Sequence, residues 1–238
     1  VGSVAGTFRL DGNDALQGSA GLEGLQTVGG IEIGVNGGLP EIDALANLEQ
    51  VFDGDLVIRA GGALRSIGTF ASLVNVSGSV IIEGNDSLQD VDAFEVLTFV
   101  GGSIQVIGNP SLGALAGFDV LESVAGTVRF RDNVGLTTID AFPILGFVGG
   151  NFEIDTHVSL TALGPFPSLN ALGASLIVRD NLALGSLAAF SGLQSITGSL
   201  VVEDNACLPT SAAESLRDGI GKGSIGASVS ISENNGPC

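Results

Sequence analysis

The sequence predicts a β-rich repeat solenoid of about nine 24-residue coils, closed by a C-terminal helix–strand cap. Three observations carry that prediction. One position recurs at Asn13, Asn36, Gly61, Asn85, Asn109, Asn133, His157, Asn181 and Asn205, spaced 23, 25 and then 24 residues apart. A leucine follows three residues later every time, from Leu16 to Leu208. Residues 207–238 then abandon the phrase and hold both cysteines. Such self-similarity at a fixed period is the signature of stacked repeats.

Each coil is built in the same order. Seven residues before the asparagine stands a small residue (Gly54, Gly78, Gly102, Gly126, Gly150, Ala174, Gly198), expected to make a tight corner into a strand. Apolar residues then occupy positions minus five and minus three, as in Ile104 and Val106 or Leu176 and Val178. That alternation marks a short strand with one face inward. The asparagine is expected to form a buried ladder, its amide satisfying backbone groups at the turn leaving the strand. Nine residues on come Leu22, Leu45, Phe70, Phe94, Phe118, Phe142, Phe166 and Phe190, and at plus twelve an unbroken leucine column runs from Leu25 to Leu193. One phrase is too short to bury its own apolar side, so neighbouring coils must stack, their strands forming a parallel sheet and their phenylalanines a spine in the opposite wall.

The chain divides into a solenoid over 1–206 and a cap over 207–238. In the cap, CLPTSAAESLRDGIGKG offers a helix with Ser211 as N-cap and Glu214 three residues on, a capping-box spacing. ASVSISEN then restores the strand pattern. Cys207 and Cys238 are expected to form a disulfide pinning this cap, since two thiols without nearby histidines are too few for zinc. A disulfide implies an oxidising compartment, and so a secreted, periplasmic or cell-surface protein. The sequence begins at Val1 and lacks methionine, as a processed or excerpted chain would, so upstream residues or another subunit are expected to cover the first coil.

The phrase V-x-G-S-L-x-V-x-x-N-x-x-L-x-x-L-x-x-F-x-x-L resembles the leucine-rich repeat class, and in particular the receptor L-domain variant of receptor ectodomains and bacterial surface proteins. The ending, from NACLPTSAAESLRDGI to ISENNGPC, is similar to the cap of those bacterial proteins. The resemblance implies a right-handed solenoid, an extracellular or cell-surface location on a bacterium, and a recognition role without catalytic residues. Gly61 and His157 depart from it by replacing the ladder asparagine.

Charge narrows the partners. With 8 basic and 26 acidic residues the formal charge is −18, which repels phosphate backbones and anionic lipid, so nucleic acid is not an expected partner. No apolar run approaches the roughly 18 residues needed to span a bilayer. Five of the eight basic residues (Arg9, Arg59, Arg129, Arg131, Arg179) fall on the outward face of the main sheet, with seven acids (Asp11, Glu32, Asp55, Glu83, Glu153, Asp155, Glu203). Alternating signs along a column favour in-register pairing, each exposed pair contributing about 0–1 kcal/mol. Arginine mixed with apolar residues also suits a protein-binding surface. The candidate partner-binding face is therefore Arg59, Glu83, Ile107, Arg129, Arg131, Glu153, Asp155 and Arg179.

Catalysis is not expected. The one histidine, His157, holds a core-ladder slot, and there is no tyrosine or tryptophan. Glu153 and Asp155 point the same way from one strand, but adjacent arginines favour their ionised forms, the wrong direction for a general acid. The calcium-roll pattern is missing, so no metal or cofactor is expected, and the small polar column at minus six is too interrupted by charge for ice binding. The expected function is non-catalytic recognition or adhesion toward a protein or glycan. The alternative is a structural subunit of a surface layer or filament that assembles end to end with itself.

Overall fold

A computed structural model describes residues 2–68, 70–236 and 238. It is a parallel β-solenoid of about eight full turns, the nine ladder positions marking the turns' ends. The four-residue strands Leu56–Arg59, Val80–Glu83, Ile104–Ile107, Val128–Arg131, Phe152–Asp155, Leu176–Arg179 and Leu200–Glu203 stack in a 17-stranded sheet, together with short flanking strands. Their register never slips: Val106 pairs with Phe130, Phe130 with Ile154, and Ile154 with Val178. A second wall carries the two-residue strands Asp90–Val91, Ala114–Leu115, Thr138–Ile139 and Ala162–Leu163. Between the walls the apolar columns disappear from solvent, and Phe70, Phe94, Phe118, Phe142, Phe166 and Phe190 stack with ring centroids 5.0–6.3 Å apart. At the first coil the strand Ser3–Asp11 leaves Val4, Phe8 and Leu10 half-buried.

The sheet stops at both ends of each strand, and backbone groups there need partners. At the far end the asparagines supply them. Asn109 Oδ1 accepts from the Asn85 backbone N–H at 3.0 Å, while Asn109 Nδ2 donates to the Ile82 carbonyl at 3.1 Å. The pattern repeats through Asn133, Asn181, Asn205 and, in the cap, Asn234. At Gly61 the missing side chain leaves a cavity of about 10 Å³ beside Asn36, Leu39, Leu64 and Asn85, room for about one water. At His157 the ring is fully buried: Nε2 lies 3.5 Å from Asn133 Nδ2, and Nδ1 has no partner among the described residues.

At the near end runs a second ladder. The minus-six side chains accept from the backbone N–H of the next coil: Ser79 from Ser103, Ser103 from Thr127, Thr127 from Asn151, Asn151 from Ser175, and Ser175 from Ser199, all at 2.8–3.2 Å. This explains the glycine column differently from the expected corner conformation. Gly78, Gly102, Gly126, Gly150 and Gly198 do not need left-handed backbone; they need to be small. A methyl on Gly126 would lie 2.5 Å from the Ser103 hydroxyl and 2.7 Å from the Gly102 carbonyl oxygen. Alanine enters the column at Ala174, directly above Asn151, the one minus-six residue of this run that is not a hydroxyl. Gly126→Ala is expected to lower stability by about 1–3 kcal/mol through overpacking, read as a lower denaturant midpoint at unchanged slope.

Left-handed backbone occurs elsewhere, at the residue just before each ladder position. Gly12, Gly84 and Gly108 take it without cost, but Val35 (φ 44°) and Thr156 (φ 62°) are β-branched and do not. The Val35 side chain is half in solvent, so its removal sacrifices little burial. Val35→Gly is expected to stabilise the fold by about 1 kcal/mol, seen as a raised Tm.

The cap contains a helix, Thr210–Ile220, that buries Ala213, Leu216 and Ile220. The expected capping box is absent. Pro209 holds the N-cap position in extended conformation, so the helix starts earlier and Ser211 sits inside its first turn. Thr210 Oγ1 instead donates to the Asn234 carbonyl. The strand Val229–Ser232 adds to Leu200–Glu203, and Cys207 is bonded to Cys238 with Cα atoms 5.0 Å apart.

Candidate binding face

Outward residues of a strand stand at every second position, so minus six, minus four and minus two form three columns on the sheet face. Most arginines and acids on it pair with the register neighbour in their own column, as Arg9 does with Glu32, Arg129 with Glu153 and Arg179 with Asp155; Arg59 departs from this. Glu32 is clasped by Arg9 at 2.8 Å on one side and by Arg59 on the other. Arg59 thus turns toward Glu32 rather than Glu83, its register neighbour, and Glu83 stays exposed. Ile107 lies half-buried beside Glu83 and Arg131.

Three coils further on is the densest cluster. Glu153 receives hydrogen bonds from Arg129 and, at 2.8 Å, from Asn151 Nδ2. Asp155 is bound by Arg179 at 3.0 Å and approached by Arg131 at 3.7 Å, while Arg131 also meets Asp132 at 3.2 Å. The acids are 8% and 4% exposed, whereas the arginines over them remain open to solvent on 38–50% of their side chains. Arginine fixed by a buried carboxylate presents its remaining N–H groups with little freedom left to lose.

The protonation states follow. Burial by itself would raise the Glu153 carboxyl, but hydrogen bonds from Arg129 and Asn151 prevail and hold it below the usual glutamate range. Asp155 is likewise lowered, burial being outweighed by Arg179 and Thr156. The hydrogen bond to Glu153 raises Arg129, and that to Asp155 raises Arg179. Both carboxylates are fixed as anions, the opposite of what a proton donor at a glycosidic oxygen needs.

Three site residues escape a reading of the strand columns. One residue past the ladder position, at the tip of the turn, Val134, Val158 and Leu182 are 40–48% exposed in consecutive coils. Elsewhere the same position holds Asp14, Gly37, Gly62, Asp86 and Pro110, the residues turns prefer, and in the last coil the small Ala206. The aliphatic tips border the coils that carry Arg131, Asp155 and Arg179. Their departure from turn chemistry was a usable signal. Asn75, in a glycosylation sequon, sits half-buried on a short strand, and Asn85 is fully buried.

Compared with known proteins, the chain matches no protein-family model, no curated protein and no solved structure. Among the described residues no helix is long and apolar enough to cross a membrane. The disulfide fits an oxidising compartment.

Proposed function

We propose that this solenoid is a non-catalytic extracellular recognition or adhesion module of the receptor L-domain kind, taking a protein or glycan partner on its main sheet face. The observation that carries this reading is the set of solvent-open guanidinium groups of Arg129, Arg131 and Arg179, anchored by buried Glu153 and Asp155 beside the exposed tips Val134, Val158 and Leu182. Strand register alone gives no reason for aliphatic turn tips in those same coils.

The test needs a variant that spares the fold. Reversing Arg129 would set a carboxylate against buried Glu153, so Arg131 is the cleaner position: Asp155 keeps Arg179 when Arg131 is lost. Immobilised extracellular polysaccharides and matrix proteins are screened against the chain by surface plasmon resonance. Arg131→Ala with Val134→Ser and Val158→Ser is expected to weaken any specific binding about tenfold or more at unchanged Tm. Specific binding that survives all three substitutions refutes the sheet-face reading. Self-association of the chain as the sole interaction supports end-to-end assembly in its place.

A further inference from the structure

A second surface, apart from the sheet face, lies on the corner where the chain returns from the far wall. Four consecutive coils read FASLVNVS, FEVLTFVG, FDVLESVA and FPILGFVG from Phe70, Phe94, Phe118 and Phe142. In each, the phenylalanine, leucine and following valine are buried. The residues between them should be polar, yet Val74, Phe99, Val120, Ile144 and Phe147 stand 38–49% exposed. Phe99 and Phe147 flank Ser123 in register, two coils apart. A run of large apolar side chains along one edge of a soluble surface marks a contact site.

Two observations on this corner say what fits it. The charged residues in those four stretches are Glu95, Asp119 and Glu122, all acidic, and the preceding coil adds Glu49 and Asp53. A second copy of this chain, at −18, would bring like charge against them. The backbone there is also already used: Asn75–Val76, Phe99–Val100, Ser123–Val124 and Phe147–Val148 pair in parallel with one another. No free strand edge invites an added β-strand, so the partner must dock through side chains. Coils repeat about every 4.8 Å, close to the 5.4 Å pitch of an α-helix, so a helix along the solenoid axis sets one apolar side chain against each coil. We infer that this corner is a docking site for a cationic amphipathic helix, its apolar stripe on Phe99, Val120, Ile144 and Phe147 and its lysines or arginines on Glu95, Asp119 and Glu122.

The probe is a 14-residue amidated leucine–lysine peptide with helical amphipathic spacing, against a scrambled peptide of the same composition, titrated by fluorescence anisotropy in 150 mM NaCl. The amphipathic peptide is expected to bind about tenfold or more tightly than the scrambled one. Phe99→Ser with Phe147→Ser should remove that advantage, and Glu95→Gln with Asp119→Asn and Glu122→Gln should flatten the salt dependence. Both variants replace exposed side chains, and circular dichroism checks their folding. Arg131→Ala on the sheet face should leave peptide binding unchanged, which separates this site from the proposed function. Equal affinity for the two peptides, or full binding by both variants, overturns the inference. So does a dimer of the free chain that Phe99→Ser with Phe147→Ser abolishes, since it would put a second copy on this corner.

Discussion

Asn109→Ala is expected to be among the most damaging single substitutions in the chain, costing about 3–5 kcal/mol. The side chain is wholly buried. Its loss leaves the Asn85 N–H without its acceptor and the Ile82 carbonyl without this donor, while the Ile107 carbonyl keeps the Gly84 N–H. An unsatisfied buried group costs about 1–3 kcal/mol, and here two fall together at a fully buried position. Asn13 provides the control. It occupies the same slot in the first coil but is exposed, and its Nδ2 reaches only Asp11 two residues back. Asn13→Ala should therefore cost below about 1 kcal/mol. Denaturant titration of both proteins decides the matter: similar midpoints would mean that the asparagine column does not hold the coils together.

The second large effect is a dependence on acidity centred on His157. Burial pushes this imidazole from its ordinary 6.5 down to about 4. Asp155 and Asp132 are the nearby charges, and both favour the protonated ring without overcoming burial. The folded state therefore binds a proton less readily than the unfolded state. The neutral ring's contribution is complete above about pH 6.5, declines as pH falls, and is gone once pH passes below about 4. The shift corresponds to about 3 kcal/mol over that window. Glu153 and Asp155, lowered from 4.5 and 3.8, add their own loss as pH falls through about 4.5 and below, so the histidine governs the upper part of the window. His157→Asn should remove the histidine's share of the loss, leaving the curve flat from pH 6.5 to about 5, and at neutral pH should stabilise by about 1 kcal/mol through a restored ladder bond. Urea midpoints measured at half-unit pH steps would show it. Parallel curves for the two proteins would place the histidine's titration outside the folding equilibrium.

Much of the fold was open to reading because each element repeats what its neighbours do. The leucine and phenylalanine columns and the alternation before the asparagine answer to burial, which acts on every coil alike, and the two cysteines of the cap to their bond with each other. What escaped depends on contacts between unlike positions of successive coils. Glycine at position minus seven was read as a conformational need, and only the approach of the Ser79 or Ser103 hydroxyl shows it to be a spatial one. The left-handed residue before each ladder position is glycine in three coils but valine, alanine, threonine or aspartate in others, so composition hid it. The helix start was misplaced by a residue pattern, Ser211 to Glu214, that Pro209 pre-empted. On the binding face the in-column partners were legible, Arg129 with Glu153 and Arg179 with Asp155, but not the partner of Arg59: whether it meets Glu32 or Glu83 is a choice of rotamer, which column positions do not determine.

The meshing of Gly102, Gly126, Gly150 and Gly198 with the preceding hydroxyl also sets how this molecule tolerates changes of length. Excising 24 residues between Ser79 and Gly126 would seat Gly126 over Ser79, a joint of the same kind as the one removed. Excising the span that carries Asn151 would instead drive the Ala174 methyl toward the Thr127 hydroxyl, where Gly150 now leaves room. Shortening or duplication by whole coils is thus open to the array at most seams and closed at one.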